Sequence, residues 1–163
     1  MTEKAAGDKP APRSLAERLR DTRKRLEEDV DAWVASAGAE AAGPYLVPLS
    51  FHWDGTELLF ATPTTSPTAR NLLASGRARV AIGPTRDVVM VDGSVRAVSE
   101  DELDEATGDE FAARTSFEPR RLRQSHHYFW VRPERIQAWR EANELAGREL
   151  MRDGEWLSPD GSA

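Results

Sequence analysis

The sequence predicts a mainly β domain, a small closed or split barrel of about six antiparallel strands with three or four helices inserted. Two observations favour it. Strand-like segments fill the middle of the chain, and turn signals such as Asp54-Gly55 join them through short connections. Parallel strands need long crossovers, so short connections predict antiparallel neighbours instead.

The composition excludes several classes of protein. The chain has 163 residues, enough for one ordinary domain, and a net charge of −6, which argues against binding to nucleic acid or anionic membranes. It has no cysteine, so disulfides and thiol nucleophiles are excluded. No apolar run approaches the roughly 18 residues of a spanning helix, and the N-terminus lacks the apolar core of a secretory signal. We therefore expect a cytoplasmic protein.

Three regions follow from local composition. Residues 1–13 are rich in Ala, Pro and Lys and are expected to form a disordered tail, residues 14–140 to form the barrel domain, and residues 141–163 to form a polar tail with one helix. The domain begins with a helix, because Ser14 and Glu17 form a capping box and Leu15, Leu19 and Leu26 follow at helical spacing. Residues 32–38 could be its last turns or a first strand.

The strands are predicted from alternation of side chains. In residues 45–53, one face carries Val47, Leu49, Phe51 and Trp53, and the other carries Leu46, Pro48, Ser50 and His52. Pro48 has no N–H, which predicts an edge or a bulge there. A return strand follows at 58–62, then strands at 77–84, 87–98 and 126–139. Asp92-Gly93 is either a hairpin turn or a bulge in one long strand, and Ser99 with Glu102 predicts a helix starting at residue 99.

The segment "TTSPTARNLLASGR", residues 64–77, predicts one short helix between strands. Ser66 is suited to the N-cap and Pro67 to the first helical position. A first turn leaves free N–H groups at the positive end of the helix dipole, and Thr68 and Arg70 add a hydroxyl and a planar cation. These are the components of a phosphate-binding site. A capped connecting helix with a solvated arginine has the same pattern.

Other charged or metal-ligating clusters indicate less. The adjacent histidines His126 and His127 point to opposite faces of a strand, so we expect no metal site. The basic segment "RRLRQ", residues 120–124, could bind an anionic tail or form a loop at the mouth of a cleft. Acidic residues at 100–110 are typical of a solvated helix face.

Four segments together resemble the FMN-binding split barrels related to pyridoxamine 5'-phosphate oxidase: "YLVPLSFHWDG", "LLFATPTTSPTARNLLASGRARVAIGP", "DVVMVDGSVRAV" and "YFWVRPERIQAW". The resemblance covers about residues 30–140. It implies a six-stranded antiparallel split barrel that forms a homodimer, with two flavins in the dimer cleft, each touched by both subunits. It also implies that Gly93 forms a bulge.

The resemblance implies a set of cofactor-binding residues. These are Val47, Pro48, Leu49 and Ser50 beside the isoalloxazine ring, Ala61 and Thr62 near the ribityl chain, Ser66, Thr68, Arg70 and Asn71 at the phosphate, and Trp139 at the partner subunit's flavin. Trp33, Trp53 and Trp130 are expected in the core or at the dimer seam. One residue departs from the family pattern, because Thr68 stands where many relatives have a lysine.

Three functions fit these observations. The first is an FMN-dependent oxidoreductase acting on a small molecule, in which the flavin carries the hydride chemistry. The second is a reductase that uses a deazaflavin coenzyme, whose longer anionic tail needs further basic residues. The third is a flavin carrier or sensor without catalysis. The residues that recognise pyridoxamine phosphate in the true oxidases are not visible, so that activity is not assigned, and no catalytic residue is predicted.

Overall fold

The protein is described from a computed structural model that covers residues 10–38 and 43–159. Its helices are α1 (Leu15–Glu28), α2 (Pro67–Ser75) and α3 (Glu105–Thr115). Its strands are β1 (Asp31–Ser36), β2 (Tyr45–Trp53), β3 (Leu58–Pro63), β4 (Arg77–Ile82), β5 (Val88–Ser99), β6 (His126–Trp139), β7 (Glu149–Arg152) and β8 (Glu155–Trp156). Short 3-10 turns lie at Pro119–Arg121 and Ala142–Glu144.

Six strands close into an antiparallel barrel. They follow in the order β3-β2-β1-β4-β5-β6, and β3 pairs back with β6. The strands β7 and β8 extend the sheet beyond β6 as a short hairpin. This confirms the predicted fold class, a mainly β split barrel with inserted helices.

Two apolar clusters hold these elements together. The larger fills the barrel with inward-facing side chains such as Phe51, Phe60 and Phe129, and Leu19 and Leu26 of α1 pack against it. The smaller lies under α3 and contains Leu59, Ala61, Phe111 and Tyr128. Burial there raises the pKa of Tyr128 to about 12.

Local signals account for the beginning of the chain. Both hydrogen bonds of the predicted capping box between Ser14 and Glu17 are present at the start of α1. Residues 31–36 form strand β1, which settles the alternative between a strand and the last turns of the helix. The Asp54-Gly55 turn is confirmed: Gly55 has φ +100°, and Asp54 Oδ1 accepts hydrogen bonds from the N–H groups of Thr56 and Glu57.

Gly93 forms a bulge rather than a hairpin turn. Strand β5 continues through it, and the register of its pairing with β6 shifts between Asp92 and Gly93. A Cβ atom at Gly93 would lie 2.3 Å from the carbonyl oxygen of Arg132, so no other residue fits without moving the backbone.

Pro48 lies where β2 has a strand neighbour on only one side. It pairs with Trp33 of β1, whereas the pairing of β2 with β3 is limited to Phe51, His52 and Trp53. The missing N–H of proline therefore breaks no ladder, in agreement with the predicted edge position.

Two segments differ from the sequence prediction. Ser99 donates to Glu102 as in a capping box, but residues 100–103 form a turn and α3 begins only at Glu105. The side chain of Asp104 accepts a hydrogen bond from the N–H of Thr107 and is the N-cap of α3, which explains why the helix begins later than predicted.

The second segment follows residue 140, where a polar tail with one helix was predicted. Its helical part is limited to the 3-10 turn at Ala142–Glu144, and the strands β7 and β8 follow and join the sheet. Residues 160–163 lie outside the described part of the chain.

The predicted disorder of residues 1–13 does not hold at its end. Residues 1–9 lie outside the described part, but the side chain of Arg13 is only 9% exposed. It binds both carboxylate oxygens of Glu144, at 3.0 and 2.8 Å, and also contacts Asp21 and Asp87. Arg18 is buried beside it and donates to the carbonyl groups of the 144–147 turn. Arg13 and Arg18 therefore hold the segment at residues 144–147 against the start of α1.

Glu144 gives the fold a measurable dependence on pH. Hydrogen bonds from Arg13, together with the N–H of Arg140, lower the pKa of this buried carboxyl from 4.5 to about 2. Its contribution to stability is therefore complete above pH 4.5 and is lost as the pH falls towards 2. We expect Glu144→Gln to lower the free energy of unfolding by about 3 kcal/mol at pH 7.

Urea denaturation at several pH values tests this. The difference between parent and variant should shrink between pH 5 and pH 3. Glu141→Gln is the control, because among the described residues the Glu141 carboxylate pairs only with the exposed Arg86 and its loss should cost less than about 0.5 kcal/mol. A difference for Glu144→Gln that stays constant down to pH 3 would contradict the assignment.

Candidate functional site

Helix α2 begins directly after β3, at the end of the barrel where β6 starts. Ser66 is its N-cap and accepts a hydrogen bond from the N–H of Ala69 at 3.0 Å, and Pro67 occupies the first position. Gly76, with φ +61°, ends the helix by donating to the carbonyl of Leu72. The N-cap at Ser66 and the first-position Pro67 predicted from the sequence are therefore confirmed.

The first turn of α2 keeps hydrogen-bonding capacity free. Thr62 and Ser66 bind one another through their hydroxyl groups at 3.0 Å. Within the described residues, the N–H groups of Thr65 and Thr68 have no hydrogen-bond partner. We call Thr62, Thr65, Ser66, Thr68 and Arg70 the α2 seat. Two free N–H groups at a helix N-terminus suit an anion.

Arg70 supplies the positive charge of the α2 seat. Its Nη1 donates to the carbonyl oxygen of Thr65 at 2.6 Å, which folds the guanidinium back towards the N-terminus of the helix. The side chain is exposed and forms no ion pair among the described residues, so its other donors remain available. It is the only cationic residue in the segment 64–71.

Asn71 is bound elsewhere. Its Nδ2 donates to Ser36 Oγ at 3.3 Å, at the end of β1. Its Oδ1 would lie 2.9 Å from a Cβ atom at Gly38. The observed contacts of Asn71 therefore join α2 to β1, and they do not place its amide with Ser66 and Arg70.

The residues expected beside the flavin ring divide between two faces of β2. Val47 and Leu49 are half-buried, and Leu49 packs against the barrel core. Pro48 is exposed on the outer face, and Ser50 donates to Asp31 at 2.7 Å. Ala61 is buried in the cluster under α3. A flat ligand against the outer face would therefore meet Pro48 and Ser50, whereas Val47 and Leu49 lie on the inner face of β2. Ala61 lies on the outer face of β3, where α3 covers it.

An apolar patch covers the outer face of β1, β2 and β4. It consists of Trp33, Leu46, Pro48 and Ala81, which are cross-strand partners or their neighbours. Trp33 is 50% exposed and Leu46 56%. Trp33 is thus not in the core of this chain, one of its two predicted locations. Trp53 packs against the barrel core and Trp130 against the cluster under α3.

Trp139 lies at the opposite end of the barrel from the α2 seat. It ends β6 opposite Val88, and the guanidinium of Arg148 lies 5.4 Å from its ring centre. His126, at the start of β6, pairs with Pro63 just before the seat. The 14 residues of β6 extend for roughly 40 Å, so Trp139 does not reach the seat of its own chain.

A basic loop lies against the start of α2. We use this name for residues 121–125, which precede β6 and are exposed. The N–H of Thr64 donates to the carbonyl of Ser125 at 3.0 Å, and Gln124 Nε2 donates to Thr65 Oγ1 at 3.4 Å. The "RRLRQ" motif was noted in the sequence, but its position beside α2 follows only from the pairing of β3 with β6.

His127 lies beside the α2 seat, a position that its place in the sequence did not indicate. It is the partner of Thr62 across β3 and β6, and its Nδ1 is buried without a hydrogen-bond partner in the described part of the chain. Among the described residues, no group of three or more His, Asp or Glu side chains is placed to hold a metal ion. In the same residues, no helix has the length and apolar character needed to cross a bilayer.

Comparison with known proteins agrees with this architecture. Residues 20–140 match the model of a family described as pyridoxamine 5'-phosphate oxidase. A comparison with curated protein sequences finds no significant match.

Solved structures share the fold at low sequence identity. A protein from Agrobacterium tumefaciens strain C58 has a TM-score of 0.66 and 16% identity over 91% of this chain, and the match spans 64% of that protein. An F420 reductase has a TM-score of 0.56 and 21% identity, covering 70% of this chain and 94% of its own. A FAD-binding protein from Mesorhizobium loti has a TM-score of 0.57 and 19% identity, covering 72% and 90%. At these identities the likeness establishes the fold alone.

Proposed function

Because the chain belongs to the pyridoxamine 5'-phosphate oxidase family, we propose that it is a flavin-dependent oxidoreductase that binds FMN and acts on a small molecule. The observation that carries this proposal is the α2 seat. It combines two free N–H groups of a helix N-terminus with the available guanidinium of Arg70, which suits a phosphate monoester.

The residues of the chain would bind and orient the cofactor. Bound flavin supplies hydride transfer, and the protein supplies position and polarity. The α2 seat would hold the phosphate, Thr62 would lie beside the ribityl chain, and the outer face of β2 at Pro48 and Ser50 would support the ring. Half of β2 lacks a β3 partner, which leaves its backbone groups beside Pro48 free for the ring edge.

We also propose that two copies of the chain complete each site. The exposed patch around Trp33 and Leu46 is an apolar surface of the kind that an obligate interface covers. Trp139 is too far along β6 to reach the seat of its own chain, so a partner subunit would have to present it there.

A deazaflavin coenzyme is the second candidate. It is supported by Thr68 in place of the lysine common among relatives, and by likeness to an F420 reductase. The basic loop beside α2 would face the longer anionic tail of such a coenzyme.

Absorption spectra of the purified protein test the proposal. We expect a yellow protein that releases FMN on denaturation, and bleaching of the flavin absorption when a nicotinamide donor is added. A colourless protein that binds deazaflavin but not FMN would favour the second candidate. Bound flavin that no nicotinamide donor reduces would favour a carrier or sensor.

Arg70 should separate FMN from riboflavin, which has the same ring and no phosphate. Loss of one charge-assisted contact to phosphate should weaken FMN binding by roughly ten- to a hundredfold, with riboflavin almost unchanged. Titration calorimetry of Arg70→Ala with both ligands measures the ratio. Arg86→Ala is a matched control, because Arg86 is an exposed arginine in another loop. Ser66→Ala should weaken FMN binding less. If the ratio of FMN to riboflavin affinity is unchanged in Arg70→Ala, the phosphate binds elsewhere on the protein.

Mixed dimers test whether the site is shared. Arg70→Ala and Trp139→Ala each remove one half of every site in their own homodimers. In a heterodimer of the two variants, one site regains both native residues if they come from different subunits. Heterodimers purified through two different tags should therefore bind FMN with parental affinity at half of their sites.

The homodimer of each variant is the control and should bind weakly at all sites. Heterodimers that bind no better than these homodimers would show that both residues act within one chain. A folded monomer at micromolar concentration in sedimentation would contradict the dimer itself.

A further inference from the structure

We propose that two copies of the chain meet through the outer faces of β1, β4, β5 and β6, and that Arg148 of each copy forms an ion pair with the partner subunit's Asp31. The proposal rests on the proposed function, in which a partner subunit presents Trp139. The ion pair fixes how the two copies are aligned, so Asp31 and Arg148 act as positioning residues for the shared site.

A row of cross-strand partners runs over this outer face. Trp33 of β1 pairs with Pro48 of β2 on one side and with Ala81 of β4 on the other. The row continues through Met90 of β5 to Gln137 of β6. The alternating residues of the same strands fill the barrel core, so the side chains of the row face outward. Four of the five are apolar and Trp33 is half-exposed, so the row offers an apolar contact surface.

Residues of opposite charge flank this row, one step nearer the end of the barrel. Asp31 pairs with Ser50 between β1 and β2, and Trp139 pairs with Val88 between β6 and β5. The guanidinium of Arg148 lies over Trp139, 5.4 Å from its ring centre. Because β4 and β5 separate β1 from β6, Asp31 and Trp139 are about 14 Å apart across the sheet. A carboxylate and a guanidinium therefore lie on two sides of one face.

Neither of these charges has an oppositely charged partner within residues 10–38 and 43–159. Asp31 is exposed and accepts a hydrogen bond from Ser50 at 2.7 Å. The guanidinium of Arg148 contacts the ring of Trp139 and the amide of Gln137. Neighbouring charges on the same face are paired within the chain: Arg79 with Asp92, Arg77 with Glu134, and Arg135 with Glu149.

Two-fold symmetry brings the two unpaired charges together. An axis that runs along the strands between β4 and β5 places β1 of one copy opposite β6 of the other. The end of β6 then faces the partner subunit's Asp31 and the partner subunit's Ser50, so that Arg148 meets the first and Trp139 the second. Each contact occurs twice, as in any isologous interface. The same alignment brings Trp139 to the outer face of β2, where the proposed function puts the flavin ring.

Mixing of charge-reversed variants tests the ion pair. Asp31→Arg places arginines opposite each other and Arg148→Asp places aspartates opposite each other, so each homodimer should be weaker by roughly tenfold or more. In the heterodimer of the two variants both contacts are attractive, because one is native and the other is reversed. Native mass spectrometry of an equimolar mixture should therefore show heterodimers well above the half that random pairing gives. Added salt should reduce this excess, and the double variant Asp31→Arg/Arg148→Asp should dimerise like the parent.

The matched control is a mixture of Lys24→Glu with Glu28→Lys. Lys24 and Glu28 pair within α1 of one chain, so their heterodimers should not exceed half. Asp31→Asn and Arg148→Gln test the same contact if a reversed variant does not fold. Each should weaken the dimer, and the two together should weaken it no more than either alone.

A dimeric parent whose charge-reversed variants pair at random would overturn the inference and leave the proposed function intact. A double variant that dimerises no better than the single variants would do the same. A parent that is monomeric at micromolar concentration would overturn the two-copy site of the proposed function, and the inference with it.

Discussion

The pairing of β6 on both of its edges is the constraint on which the rest of the structure depends. Its first half pairs with β3 and closes the barrel, its whole length pairs with β5, and its second half carries β7. One strand can form all three pairings only if its partner β5 bends, and the bulge at Gly93 provides that bend. A side chain at this position would meet the carbonyl oxygen of Arg132. Closure pairs most of the strand edges that an open sheet would expose, although the first part of β2 stays unpaired on one side.

The candidate site is a direct product of this closure. Antiparallel pairing of β3 with β6 places Pro63 opposite His126, so the segments beyond these residues must be neighbours. One is the start of α2 with its free N–H groups, and the other is the basic loop. A backbone hydrogen bond from the N–H of Thr64 to the carbonyl of Ser125 then fixes their contact. The positive end of a helix and the basic loop meet because the barrel closes there, although they are more than fifty residues apart in sequence.

How much the sequence could predict depended on whether the signal was local. The N-cap of α2, the Asp54-Gly55 turn and the alternation of β2 involve neighbouring residues, and they were predicted correctly. The C-terminal hairpin was missed although Asp153-Gly154, with both φ values positive, is itself a turn signal, because strands of four and two residues show little alternation. Contacts between distant segments, such as Arg13 with Glu144 or Gln124 with Thr65, have no signature in the local sequence and could not be predicted from it.

The lack of a cation at position 68 and the exposed arginines around α2 have one physical explanation. Position 68 is 1% exposed, and a charged ammonium held there needs a bound anion to offset its loss of hydration. Threonine places only a hydroxyl at that depth. Arg70, Arg121 and Arg123 are exposed, so their charges remain hydrated when no ligand is bound. If an anionic cofactor binds here as proposed, positive charge at the rim would attract it without destabilising the empty protein.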